Sequence, residues 1–355
     1  MHYYLVTTYN HGAFVEAMVD SIRLQYGSTE GFLREARLLV LDDASRDATR
    51  ERLAALARRH GNIGLLANRQ NRGIGFNRNL LLDWLRRRQP RAGDFAQFVD
   101  GDDLLAAGSL AARLRAFARE PSLQAVGGQL GLFSGMDDDR LRPVTSFATD
   151  PRIEAIANIF ECHFYIANTL FRAEALLDPQ MRFPAVNLSE DWLFFALHPL
   201  RKRHVGEITL KYRQHGGNLT CRIAQAQVVF TVRRQAHSLA LLRIAMLPSA
   251  RECELLDLVG YLSLRMVWQG GRPDYRPDIR MPWFRPLARR PDIASRWESL
   301  RRELGALFTR IIDNNDRVGH FDPDLLRTYC DALLQFAGRE LGQALAEGQR
   351  VRGSE

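Results

Sequence analysis

Three carboxylates fall within four residues at Asp100-Gly101-Asp102-Asp103, and like charges held that close are relieved most readily by a bound cation. Hard oxygen donors select Mg2+ or Mn2+, which keep open positions for phosphate oxygens. An acidic turn capping a helix that begins near Gly108 is the alternative. Asp42-Asp43-Ala44-Ser45 is a second acidic site. A carboxylate there can accept hydrogen bonds from a base or ribose, although taken alone the pair reads as a helix cap that Asp43 or Ser45 would supply. Glu190-Asp191 precedes the apolar run Trp192 to Leu200 and reads as acidic charge at a helix start. Between the first two sites, Gly73 and Gly75 precede a helical stretch in a weak version of a phosphate loop, where Arg72 and Arg78 could reach a diphosphate. Asp137-Asp138-Asp139 follows Gly135 with no strand end to aim it and reads as a solvated turn.

The elements that would position these residues alternate. Tyr3 to Thr8, Leu38 to Leu41, Ile63 to Leu66 and Phe95 to Val99 are short apolar runs with strand character; Ala13 to Gln25, Asp47 to His60 and Phe76 to Arg88 have helical spacing. Strand and helix in turn imply an α/β fold with a mostly parallel sheet and right-handed crossovers. Ligands in such sheets sit at the carboxyl ends of the strands, where Thr7-Thr8-Tyr9-Asn10, Asp42 to Ser45 and Asp100 to Asp103 all fall.

With 355 residues and 46% hydrophobic content, the chain can bury a large core and hold one big domain plus a smaller one. Its net charge of +8 is carried almost wholly by arginine. That charge suits nucleoside diphosphates or an acidic membrane surface, or forms a solvated basic face. No nucleic-acid-binding signature accompanies it, so nucleic acid is set aside. Cys162, Cys221, Cys253 and Cys330 lie far apart with no CxxC pair and read as free thiols, mostly in the core. No apolar stretch approaches the ~20 residues that cross a bilayer, and the start resembles no signal peptide, so a cytoplasmic protein is expected.

Taken together the motifs resemble glycosyltransferase family 2. The chain shows T-Y-N at Thr8-Tyr9-Asn10, D-D-x-S at Asp42 to Ser45, N-x-G at Asn71 to Gly73 and R-N at Arg78-Asn79. D-x-D-D follows at Asp100 to Asp103, E-D at Glu190-Asp191 and Y-R-x-H at Tyr212 to His215. Any one motif is weak; the ordered series over about residues 3 to 220 is specific.

The resemblance implies a GT-A fold, a Rossmann-like nucleotide-binding sheet flanked by helices, with a catalytic domain over 1–220 and a helical region over 221–355. Within the catalytic domain, about 1–103 would hold nucleotide and about 104–220 acceptor. It implies transfer of a sugar, with inversion, from a nucleoside diphosphate sugar such as a UDP-sugar to a hydroxyl acceptor, assisted by Mn2+ or Mg2+. Thr7, Tyr9 and Asp43 would hold the base, Asp100 and Asp102 would face ribose and diphosphate, and Arg72 and Arg78 would stand on the donor side. Asp102, Asp103 and His215 are the candidate metal ligands, and which of the three aspartates touches the ion stays open. Asp191 would be the general base, with Glu190 and Trp192 on the acceptor side. The chemistry agrees with those roles: the leaving diphosphate gains negative charge, and a sugar hydroxyl attacks well only when a carboxylate takes its proton.

The Q-x-x-R-W segment and membrane helices of processive synthases in this family are absent from the sequence, which implies addition of one or a few sugars. A bacterial surface glycan or lipid-linked glycan acceptor, peripheral association with the inner face of the membrane, and a homodimer through the carboxyl-terminal helices are the expected partners. Two rivals remain: a sugar nucleotidyltransferase, which should carry a glycine-rich amino-terminal loop, and a noncatalytic nucleotide- or glycan-binding module. Beyond Cys221 helical spacing is read at Leu239 to Met246, Leu255 to Val267, Trp297 to Ile312 and Leu325 to Leu345. A proline-rich connection precedes the third, and the aromatic and basic run Arg280 to Arg285 reads as a packed loop more readily than a membrane anchor.

Overall fold

The computed structural model describes residues 1–135, 141–144, 164–184, 190–198, 200–218, 266–269, 272–275, 297–318, 323–324, 326–328, 330–335 and 338–339. Two compact units divide the chain, one of residues 1–151 and 162–223, the other of residues 152–161 and 224–355.

The first unit opens with β1 (His2–Thr8), α1 (Val15–Arg23), α2 (Thr29–Glu35), β2 (Ala36–Asp42), α3 (Thr49–Arg59), β3 (Ile63–Ala67), α4 (Ile74–Arg88) and β4 (Phe95–Asp100). Side chains alternate faces along a strand. Tyr4 and Val6 of β1 therefore join Leu38 and Val40 of β2 beneath Val15, Met18, Val19 and Ile22 of α1 and Leu53 and Leu56 of α3. Leu5, Leu39 and Leu41 face the other way, onto Leu81, Leu82 and Leu85 of α4. Helix α2 was not anticipated. Gly27, at φ 69, ends the preceding turn, and Ser28 Oγ accepts from the Gly31 amide at 3.0 Å, a cap of about 1 kcal/mol.

Then come β5 (Leu104–Leu105), α5 (Ser109–Arg119), β6 (Ala125–Ser134), β7 (Arg142–Val144), β8 (Leu170–Arg172), α6 (Glu190–Leu197) and β9 (Lys202–Gln214). The sheet order is β3-β2-β1-β4-β8-β6-β9-β5, with β7 beside β6. The first four strands are parallel. The antiparallel joints β4 to β8 and β8 to β6 make the whole sheet mixed. Register sets the functional edge: Thr8 pairs with Asp42 and Thr7 with Asp100, so the carboxyl ends of β1, β2 and β4 share one rim.

In the second unit, β10 (Met266–Gln269) and β11 (Arg272–Tyr275) pair antiparallel. Met266 and Val267 are thus strand where the spacing predicted the end of a helix, because they pair with Tyr275 and Asp274. Helix α7 (Trp297–Val318) buries Leu300, Leu304, Leu307 and Phe308 on one stripe. Cys330 is a buried free thiol that burial, helped by Asp331, pushes up to about 12. The other cysteines, Asp137 to Asp139, Arg280 to Arg285 and the segment 239–246 lie outside the described residues. No described helix is long and apolar enough to cross a membrane.

Candidate active site

The loops leaving β1 and β2 are latched before any ligand is considered. The Asn10 amide donates to Ser45 Oγ at 2.8 Å, and Asn10 Oδ1 accepts from the Arg46 amide at 2.8 Å. The Gly12 amide donates to Asp47 Oδ2 at 2.9 Å. Asn10 and Ala44 both adopt positive φ, 56° and 63°, a conformation asparagine tolerates and alanine takes at a cost. The capping expected of Asp43 or Ser45 does not occur. Helix α3 starts later, at Thr49, whose amide bonds to Asp47 Oδ1 at 3.0 Å. Ser45 is spent on Asn10, and Asp42 accepts from Arg50 Nε at 2.6 Å.

Asp43 organises the glycine-bearing loop before α4. Its Oδ1 accepts from Asn68 Nδ2 at 2.7 Å and the Arg72 amide at 2.8 Å, and its Oδ2 accepts from the Gly73 amide at 3.0 Å. Gly73, at φ 83, turns the chain into α4 in a conformation suited to glycine. The Arg72 guanidinium is exposed and lies 4.2 Å from the Phe76 ring centre.

One turn later, Arg78 points inward and is buried. It donates through Nη2 to both oxygens of Asp100, at 3.1 and 3.2 Å, and through Nη1 to Glu190 Oε1. Thr7 Oγ1 adds a 2.9 Å bond to Asp100 Oδ1. Asp191, next to Glu190, accepts from the Trp192 amide at 2.8 Å and keeps part of its surface open. One cation thus faces three carboxylates. Burial pushes Glu190 up to about 7, with Asp191 and Asp100 adding to the shift and Arg78 opposing it. Burial also raises Asp191, against Arg78 and the Trp192 amide. Arg78 itself is held above the usual guanidinium value by Asp100, Glu190 and Asp191 although its burial opposes this.

After β4 the chain turns through Gly101, where a Cβ would come within 2.8 Å of Thr8 Cβ and 2.9 Å of His11 Nδ1. Only glycine allows that approach. Asp102 Oδ2 then meets His215 Nε2 at 3.0 Å. Asp103 is buried, and its Oδ1 accepts from the Arg213 amide at 3.0 Å. Burial, with Asp102 and Asp100 close by, raises Asp103 well above the usual carboxylate range. Asp102 moves down: burial opposes this, but the bond from His215 and the charge of His11 outweigh it.

Arg213 fixes the end of β9 to this turn. Its Nε donates to the Asp102 carbonyl at 2.8 Å, and its guanidinium lies between Phe14 and Phe133, 4.6 and 4.5 Å from the ring centres. Asn218 holds the following residues, accepting from the His215 amide at 2.5 Å and donating to the Arg213 carbonyl at 3.0 Å.

The structure therefore joins Thr7, Arg78, Asp100 and Glu190, with Asp191 beside them, and joins Asp102 to His215. Asp43 is engaged with the 68–73 loop, Tyr9 is exposed beyond β1, and Trp192 is buried. His11, Asn218 and the aromatic setting of Arg213 were not read from the sequence. The available signals were a histidine directly after T-Y-N and an asparagine three residues beyond His215. Among the described residues no three His, Cys, Asp or Glu side chains are already arranged around one point for a metal ion. The carboxylate donor at Asp102 nevertheless fits Mn2+ or Mg2+ in kind, and the imidazole at His215 a first-row ion such as Mn2+.

Residues 4–177 match the family model described as Glycosyl transferase family 2. No curated protein matches the chain by sequence. Among solved structures, residues 1–349 of S. aureus TarS are similar at 18% identity with a TM-score of 0.54, covering 98% of this chain and 91% of that chain. The same region of TarS in complex with UDP-GlcNAc is similar at 16% identity with a TM-score of 0.53, covering 98% and 92%. At such identities the likeness is one of fold. Residues 4–177, just under half of the chain, thus match glycosyl transferase family 2, and the α/β architecture is the GT-A fold.

Proposed function

We propose that the protein transfers a sugar from a nucleoside diphosphate sugar, a UDP-sugar by preference, to a hydroxyl of a glycan or lipid-linked glycan, with inversion and with Asp191 as the general base. The observation that carries this reading is the meeting of Asp100, Arg78 and Glu190 at the carboxyl rim of the parallel strands, with Asp191 partly open beside them. UDP-GlcNAc bound to TarS, a protein of similar fold, supports the choice of donor.

On the donor side, exposed Tyr9 offers a ring for the base, while Asp43, by accepting the Arg72 and Gly73 amides, holds the 68–73 loop so that the Arg72 side chain can reach the phosphates. Asp100 turns to the ribose, and Arg78 acts from behind it by fixing the carboxylate. Asp102, Asp103 and His215 would hold Mn2+ or Mg2+, which supplies positive charge where the leaving diphosphate becomes more negative. On the acceptor side, a raised Asp191 takes the hydroxyl proton as the new bond forms on the face opposite the departing diphosphate. Glu190, tied to Arg78, keeps the start of α6 in place, with Trp192 packed behind it. One base acting on one face gives inversion without a covalent intermediate.

Incubation with a panel of sugar nucleotides and Mn2+ tests the proposal. Slow donor hydrolysis in the absence of acceptor, and an inverted anomeric product by NMR in its presence, are expected. Pyrophosphate-dependent exchange would instead identify a nucleotidyltransferase, and binding without turnover a noncatalytic module.

A further inference from the structure

The loop between β1 and α1 sends a second imidazole to Asp102. His11 Nε2 stands 3.5 Å from Asp102 Oδ2, the same oxygen that His215 Nε2 meets at 3.0 Å. The two rings are edge to face with centroids 6.3 Å apart, and Phe14 packs against both. Bare Gly101 makes room, because a Cβ there would press on the far side of the His11 ring. Two ligands at right angles on one ion, each bonded at about 2.1 Å, stand about 3.0 Å apart, and at a tetrahedral angle about 3.4 Å. The two nitrogen-to-oxygen distances from Asp102 fall close to that range.

We propose that His11 is a metal ligand that joins Asp102, Asp103 and His215, so that two imidazole nitrogens stand beside carboxylate oxygen in the set. This rests on the divalent-cation reading above. The set closes only on binding, since among the described residues no three of these groups are yet arranged around one point. Imidazole nitrogen favours first-row transition ions, whereas an all-oxygen set suits Mg2+ equally well. His11 therefore biases the site toward Mn2+.

The test titrates the full-length protein with Mn2+, alone and with UDP, and counts ligating nitrogens by electron spin-echo modulation. The wild type should show two histidine nitrogens, and His11→Phe and His215→Phe one each. Phenylalanine keeps an aromatic ring against Phe14, and a thermal melt of the metal-free protein checks its fold, with His11→Gln as the alternative variant. Mn2+ affinity should fall about tenfold or more in His11→Phe, and Mg2+ affinity far less. Two nitrogens and wild-type Mn2+ affinity in His11→Phe would overturn the proposal. Asp102→Ala separates the two readings. If it too leaves Mn2+ affinity unchanged, the cation reading itself falls; if it abolishes binding while His11→Phe binds as the wild type does, only the role of His11 is lost.

Discussion

Arg78 donates to Glu190 across 112 residues of chain, and with its bonds to Asp100 it ties the end of β4 to the start of α6. Removing one partner of a buried ion pair leaves the other charges uncompensated. Arg78→Met should destabilise the protein by about 3 to 5 kcal/mol in urea unfolding. Glu190→Gln in that background should recover part of the loss, and strict additivity of the two changes would deny the coupling.

Glu190 also sets a pH dependence. Its folded value is raised to about 7 from an ordinary 4.5, so between those limits the folded chain holds a proton that the unfolded chain has released. Stability from this group is therefore complete below about pH 4.5 and declines as pH rises toward 7. Urea midpoints measured across that window should fall less steeply with pH in Glu190→Gln than in the wild type.

For Asp191 the expected effect is on turnover. Asp191→Asn should bind donor normally by calorimetry yet lower transfer by about a hundredfold or more. Transfer close to the wild-type rate would assign the proton to another group.

Asp102 and Asp103 should differ in a way that charge alone does not foresee. Both alanine variants should weaken metal-dependent donor binding by about tenfold or more. Asp103→Ala should also lower the melting midpoint, because the Arg213 amide loses its buried acceptor. A wild-type midpoint in Asp103→Ala would show that the Asp103 bond carries no stability.

Ala44 holds a left-handed φ of 63° in the loop after β2. Ala44→Gly should leave stability unchanged or raise it by up to about 1 kcal/mol. A lower melting midpoint would mean that the methyl group packs more than its backbone is strained.

The parallel half of the sheet was legible because β1, β2 and β4 are buried apolar runs bounded by polar strand ends. Strands β6 and β9 were not. Gly127, Gly128 and Gly131 interrupt β6, whose pairing with β9 shifts register between Gly127 and Leu130, and β9 mixes charged and apolar residues without clean alternation. At the site, Asp100, Glu190 and Asp191 were readable as acids at element ends. That Arg78 would be buried between two of them was not, since the loop spacing before α4 pointed to a diphosphate. Arg213 gained its place from Phe14 and Phe133, which come from two separate segments, and no spacing rule connects them.

The crowding around Gly101 extends beyond its own turn. Thr8 and His11 fill the space that a side chain would need, so the middle position of the acidic motif is governed by the bulk of a different loop. In a relative that carries a larger residue there, smaller neighbours at both of these places should accompany it. Placing a larger residue at Gly101 in this chain would therefore fail on volume before charge was ever tested.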